Sequence, residues 1–244
     1  MEIVWDAFAQ AALRLFGGDP ATYTVIGLSL RVSGLSLLIA TALGVPLGYL
    51  IGSRRFRGRG LVTAIVNTGM GLPPVVVGLM VYILISRSGP LSEAYVALVG
   101  EAMPRLLYTV PAMIIAQVMI STPIVTGVTL AAVGAVPAEL RLQARSLGAS
   151  HLQEAVLTIR EARWGVMAAI AAGFGGIISE VGAVNMVGGN IEGKTRVMTT
   201  AIQLETGQGN FGLALGLGLI LLGIAFVIMN AFTRVQHSGS RYER

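Results

Sequence analysis

Five long apolar stretches, at residues 23–51, 61–85, 110–133, 164–186 and 211–232, constrain this chain more than any other feature. Each meets the roughly 20 residues needed to cross about 30 Å of hydrocarbon as a helix. Lipid offers no hydrogen bonds, so a crossing segment must satisfy its own backbone, and the helix is the solution for an isolated apolar run. The composition agrees: 54% of residues are hydrophobic and only 12% charged, against about a quarter charged in soluble domains. A mean hydropathy of +0.76 excludes an ordinary soluble fold. The expected class is an all-α integral membrane protein with about five transmembrane helices.

The arginines set the expected orientation. The first connection carries Arg54, Arg55, Arg57 and Arg59, the third Arg141, Arg145, Arg160 and Arg163, and the tail Arg234, Arg241 and Arg244. The opposite side holds Arg14, Arg87, Arg105, Lys194 and Arg196. The positive-inside rule puts the first group in the cytoplasm, the amino terminus outside and the carboxyl terminus inside. Arginines flanking spans also account for the net charge of +5, and no nucleic-acid partner is expected. The first residues include Glu2, Asp6 and Asp19 and lack a basic region before an apolar core, so no cleaved leader is expected. Within them Val4, Ala7, Phe8, Ala11, Ala12 and Leu15 share a helical face beside Trp5, as in an amphipathic helix lying in the outer interface. The expected organisation is a single transmembrane domain over 1–244. It comprises an interfacial segment at 1–21, a membrane core at 22–232 with a cytoplasmic hairpin at 137–163, and a cytoplasmic tail at 233–244, with lipid around the core.

Glycine and proline punctuate the spans, among them Pro46, Gly69, Gly71, Pro73, Pro74, Pro111, Pro123, Gly173, Gly175, Gly176 and Gly182. Helices broken around a pathway and close-packed glycine interfaces both use such residues. Cysteine is absent, which removes disulfides and thiolate chemistry, and no metal site is expected. The spans contain no histidine or aspartate, and the chain has neither G-x-S-x-G nor a P-loop. No catalytic residues and no ATP hydrolysis are therefore expected of this chain, and no cofactor is expected on it. A secondary transporter or channel is the remote alternative, for which an internal repeat and acidic ion-coupling residues are missing.

The third connection is long and polar. Leu140, Ala144 and Leu147, then Leu152, Val156 and Ile159, repeat at helical spacing on either side of Gly148. That pattern predicts two short amphipathic helices with a charged face formed by Arg141, Arg145 and Glu154. The segment QARSLGAS resembles the cytoplasmic EAA loop of ABC importer permeases. It departs from that loop at Leu142 and Gln143, where the family usually has Glu and Ala, and at Arg160 and Glu161, which replace Leu-Pro. Glu139, almost one turn earlier, is the substitute acid.

The segments at 71–91, 106–125 and 180–209 resemble the tungstate-specific permease branch, with molybdate and sulfate permeases as nearest relatives. The resemblance implies a type I, MetI-like permease fold that works as a homodimer in a prokaryotic cytoplasmic (inner) membrane. It implies cytoplasmic ABC ATPase subunits that carry ATP and Mg, and an extracytoplasmic binding protein for tungstate or a similar oxyanion. Molybdate or sulfate is the alternative cargo. ATPase coupling is then expected at Glu139, Arg141, Leu142, Ala144, Arg145, Gly148, Ala149 and Ser150. About ten residues between Leu91 and Leu106 exceed the expected connection and form an outer insertion.

Arg31 and Glu180 lie deepest in the spans, where a charge must be paired or face water. A structural pair between them and a gate role for Glu180 are the two readings. A carboxylate repels a dianion, so the expected path uses neutral donors: Ser179, Asn185, Asn190, Thr195, Thr199 and Thr200, with the backbone of Gly188 and Gly189. Lys194 and Arg196 either attract the anion or are ordinary loop charges.

Overall fold

A computed structural model of the chain describes residues 5, 7, 9, 13–15 and 17–240. Among these the regular structure is helical: α1 (Pro20–Ser53), α2 (Arg59–Met70), α3 (Pro74–Ile85), α4 (Pro90–Val99), α5 (Val110–Gly134), α6 (Ala138–Ser146), α7 (His151–Glu161), α8 (Arg163–Ile178), α9 (Gly182–Gly188), α10 (Met198–Gly207) and α11 (Phe211–Ser240). Proline opens α1, α3 and α4, where its missing N–H is not needed and its fixed φ suits the first turn. Asp19 precedes α1, accepting from Thr22 Oγ1 at 2.6 Å and from Arg14 Nη1 at 2.9 Å. The Thr22 hydroxyl, with lesser help from the Ala21 amide and Arg14, holds its carboxyl below the usual carboxylate range.

Among the described residues four helical stretches are long and apolar enough to cross a membrane, and a bent pair, taken as one span, makes five. The second expected span, 61–85, is not one helix. It breaks between α2 and α3, because Pro73 and Pro74 cannot donate to the preceding turn and Pro73 is extended at φ −60°, ψ 126°. The apolar run of spanning length is instead Pro74–Val99, which takes in α4 and much of the segment expected to be an outer insertion. The fourth expected span is α8 and α9, bent by 58° around Glu180. The fifth continues as helix beyond 232 to Ser240. Of the expected interfacial face, Val4, Phe8, Ala11 and Ala12 fall outside the described residues. Ala7 is buried, Trp5 is exposed, and Leu15 packs with Val25 and Ile26 against Met198 and Ile220.

The helices divide into two compact units, each assembled from separated segments. One contains Met1–Ser36, Pro73–Val118 and Ile177–Ile228. In it α3 and α9 pack backbone to backbone: a Cβ on Gly78 would stand 2.6 Å from the Ala183 Cα. Ser29 donates to the Val25 carbonyl and accepts from the Met198 amide, at 2.7 and 2.8 Å, which ties α1 to the start of α10.

The other unit contains Leu37–Leu72, Met119–Gly176 and Met229–Arg244, and in it the part of α5 from Met119 onward is approached by α1, α2 and α8. Gly44, Gly48 and Gly52 line one edge of α1, where added Cβ atoms would lie 2.9 Å from Val125, 2.7 Å from Thr129 and 2.9 Å from the Leu130 carbonyl. Gly69 of α2 meets Pro123 at 2.9 Å, and Gly173 of α8 meets Ser121 Oγ at 2.7 Å in the same sense. In lipid, helix association depends on such close approach because apolar side chains alone gain little over lipid tails. At the foot of this unit Val133, Val136, Ala162 and Val166 form a buried cluster against Val45, Tyr49, Leu140 and Ile159.

Candidate coupling and translocation sites

The hairpin forms as its periodicity predicts, with α6 and α7 separated at Gly148. Gly148 has φ +83°, the left-handed conformation that glycine adopts without a Cβ penalty. The amides of Leu147, Gly148 and Ala149 return to carbonyls of the last turn of α6 at 3.1, 2.9 and 3.0 Å. Ser150 and Gln153 then close a reciprocal cap on α7, at 3.3 and 2.8 Å. Local signals alone account for both helices and the turn.

Which side chains face outward is decided differently from expectation. Glu154, expected on a presented charged face, is 4% exposed. Its carboxylate accepts from Arg145 Nε at 2.7 Å, and that pairing raises the guanidinium pKa. Arg141 is half-buried and donates from Nη1 to the Ser53 carbonyl at 2.6 Å. The apolar face is split as well. Leu140 and Ile159 join the buried cluster at the foot of the unit, whereas Leu142, Leu147 and Leu152 are 63%, 89% and 75% exposed. Glu139, Gly148 and Ser150 are also exposed, and Ala144 and Ala149 half-buried. The hairpin therefore presents a leucine-bearing tip, with Arg145 exposed beside it even as it pairs with Glu154.

The second candidate site is the bend between α8 and α9 and the turn after α9. Glu180 is buried, and its Oε1 accepts from the Ala183 amide at 2.8 Å. It makes no ion pair with Arg31, which is exposed. Thr199 Oγ1 donates to the Glu180 carbonyl at 2.7 Å, while Thr195 Oγ1 donates to the Gly188 carbonyl at 2.6 Å and accepts from the Ile191 amide at 3.0 Å. Thr200 Oγ1 accepts from the Val197 amide at 3.1 Å, and Asn190 Nδ2 donates to the Thr200 carbonyl at 3.3 Å. The Gly189 amide is bonded to the Asn185 carbonyl at 2.8 Å. These groups come together, and their hydrogen bonds knit the turn.

Gly189 and Asn190 are successive left-handed residues, at φ +71° and +50°. A side chain on Gly189 would strike the Tyr108 ring, 2.6 Å away. Asn185 is half-buried, with its Nδ2 3.1 Å from Gln203 Oε1, and Ser179 is exposed. Arg196 pairs with Glu192 at 3.2 Å, leaving Lys194 as the exposed cation of the neighbouring loop. Sequence reasoning passed over Gln117. It is 3% exposed and donates to the Ile177 carbonyl at 3.1 Å, beside the bend where helix hydrogen bonding lapses. A lone glutamine within an apolar span was the available signal.

The family profile described as "Binding-protein-dependent transport system inner membrane component" matches residues 44–237. The chain belongs to that family. The "Tungstate uptake system permease protein TupB" of Peptoclostridium acidaminophilum is 40% identical to this permease over 93% of the chain and 96% of the relative. The protein of the same description from Campylobacter jejuni is 34% identical over 93% and 91%. A "Probable anion ABC transporter permease protein" of Haloferax volcanii is 41% identical over 82% and 84%. Among solved structures, a bacterial ABC transporter that imports alginate has a permease chain of the same fold, with TM-score 0.78, 20% identity and coverage of 94% of this chain and 87% of that one. The inward-facing MetNI methionine transporter matches at TM-score 0.64 and 18% identity, covering 90% and 98%. This permease thus has the all-helical, MetI-like ABC importer fold and belongs to a family of multi-pass inner-membrane proteins.

Proposed function

We propose that this permease carries tungstate, a tetrahedral oxyanion, into the cytoplasm as part of an ATP-driven importer. The observation that carries the reading is end-to-end similarity at 40% identity to a tungstate permease. The molybdenum permeases are more distant: the Escherichia coli protein is 26% identical over 87% of the chain. Two copies form a two-fold dimer, with the amino terminus outside and the carboxyl terminus in the cytoplasm. Each copy seats one ABC ATPase on its hairpin, and the pair receives the anion from one extracytoplasmic binding protein. ATP and Mg belong to the ATPase, and this chain contributes no catalytic group.

In this reading Leu142, Leu147 and Leu152 enter the ATPase cleft and Glu139 supplies a polar contact at its rim. ATP-driven closure draws two hairpins together and opens the path outward. The bend with Ser179 and Glu180, Asn185 of α9, and Asn190 of the following turn border that path. The threonines and Gly188–Gly189 hold its shape, since their polar groups are already bonded within the bend and turn. Uptake into liposomes containing the permease, its ATPase and its binding protein tests the proposal. ATP-dependent tungstate accumulation that molybdate and sulfate compete for poorly is expected. Equal preference for sulfate would overturn the cargo assignment.

A further inference from the structure

At the carboxyl end of α1, helix geometry leaves the last carbonyls without intrahelical donors. Arginines from outside the helix fill this gap. Arg59 donates from Nε to the Ile51 carbonyl at 2.9 Å and from Nη2 to the Gly52 carbonyl at 3.5 Å. Arg141 of α6 donates to the next carbonyl, Ser53, at 2.6 Å. Cations are favoured at this end of a helix dipole, and a guanidinium–carbonyl bond is charge-assisted. Arg59 is the first residue of α2, a few residues beyond α1, so its bond is local. Arg141 lies 88 positions from Ser53, and its bond joins the hairpin to the first long helix.

The hairpin has three other attachments, the first being residues 135–137, which join α5 to α6. Only Ala162 separates α7 from α8, so any displacement of the hairpin reaches α8 through the chain. Leu140 and Ile159 also pack in the cluster that includes Val45 and Tyr49 of α1. Apolar contact is non-directional and tolerates sliding, whereas a hydrogen bond weakens steeply once its angle or length is lost. We propose that Arg141 is a positioning residue that locks the hairpin to the carboxyl end of α1, so that motion imposed on the hairpin by the ATPase is passed to α1 as well as to α8. Arg145 braces the same body from within by joining α6 to Glu154 of α7. In this role Arg141 is not a docking contact.

This proposal rests on the hairpin being the ATPase seat, and the experiment separates the two. In the liposome-reconstituted transporter, Arg141→Met keeps the aliphatic stem and removes the donors. The ATPase should co-purify with it as with wild type, while anion delivered per ATP falls by about ten- to a hundredfold, the range that corresponds to a lost charge-assisted hydrogen bond. Arg141→Lys, which restores a cationic donor, should recover most of that ratio. Loss of ATPase co-purification in Arg141→Met would make Arg141 a docking residue, and an unchanged delivery ratio would make the bond irrelevant; either overturns the proposal.

Should Arg141→Met fail to fold, the otherwise wild-type chain still decides. It has no native cysteine, so spin labels at Arg55→Cys and Gln143→Cys report the separation of α1's end from α6 directly. That distance should agree within about 3 Å between nucleotide-free and ATP-trapped states, and a larger change overturns the lock. Leu147→Asp tests the seat itself: it should abolish ATPase co-purification. Retained co-purification would refute the seat, whereas the label distance judges Arg141 on its own.

Discussion

Thr195 shows how the candidate path is held at the scale of single residues. Its hydroxyl serves the Gly188 carbonyl and the Ile191 amide together, in a site where the residue is 1% exposed. Thr195→Val keeps the shape and strands both backbone groups, which should cost about 1–3 kcal/mol and lower the unfolding temperature in detergent. Glu180 is the complementary case. Glutamine can still accept from the Ala183 amide, so Glu180→Gln should change stability by under about 0.5 kcal/mol, while Glu180→Ala loses about 1 kcal/mol of cap. Because Arg31 makes no ion pair with Glu180, the double-mutant cycle of Arg31→Gln with Glu180→Gln should show coupling below about 0.5 kcal/mol. Coupling well above that would establish a pair in the lipid-embedded protein. If Glu180 acts as a gate, uptake by Glu180→Gln changes while its yield holds.

At the scale of elements, the approach of α1 to α5 depends on a ladder of glycines four residues apart. Gly48 has the Thr126 carbonyl and the Thr129 Cβ each 2.7 Å from where its own Cβ would stand, and these are backbone and branch-point atoms that cannot swing aside. Gly48→Val should therefore force the helices apart, with a cost of at least about 1–3 kcal/mol and a sharp loss of folded protein on size-exclusion chromatography. Gly27, with nothing within 4 Å, is the control, and Gly27→Ala should be silent. In the hairpin, Gly148→Val places a branched residue at φ +83°, a strain of about 1–2 kcal/mol local to the turn. The permease should still insert, but its tip should be displaced. Anion-stimulated ATP hydrolysis and uptake in the reconstituted transporter should fall together, and normal values for both would remove the hairpin from the coupling mechanism.

The whole molecule offers an anion few fixed positive charges near the bend. Among the described residues there, Lys194 is exposed and Arg196 is engaged with Glu192, while the threonine hydroxyls are bonded internally. Such a path should bind weakly and release readily, leaving discrimination to the binding protein. The purified permease should show no submicromolar tungstate binding by calorimetry. Exchanging the binding protein should shift anion preference more than Thr199→Ala does. Tight binding to the permease alone would reverse that division.

Membrane residence and the number of spans were legible from the sequence because hydropathy sums over a window and needs no partner. The helix–Gly148–helix hairpin was legible because its causes are local, a left-handed glycine and apolar residues at helical spacing. The neutral donors near the end of the fourth span were legible as residue types, but the 58° bend at Glu180 was not, because 164–186 reads as one apolar run. Three further things required the tertiary structure. The apolar run at 61–85 hid a proline break, since hydropathy does not register a missing amide. Of the charged face assigned to Arg141, Arg145 and Glu154, Arg145 stays exposed while Glu154 is buried and Arg141 turns to Ser53, an acceptor 88 residues away that no periodicity reports. The glycines of α1 acquired their role only where α5 passes within a side chain's width, for contact between helices distant in sequence is set by packing rather than by either helix alone.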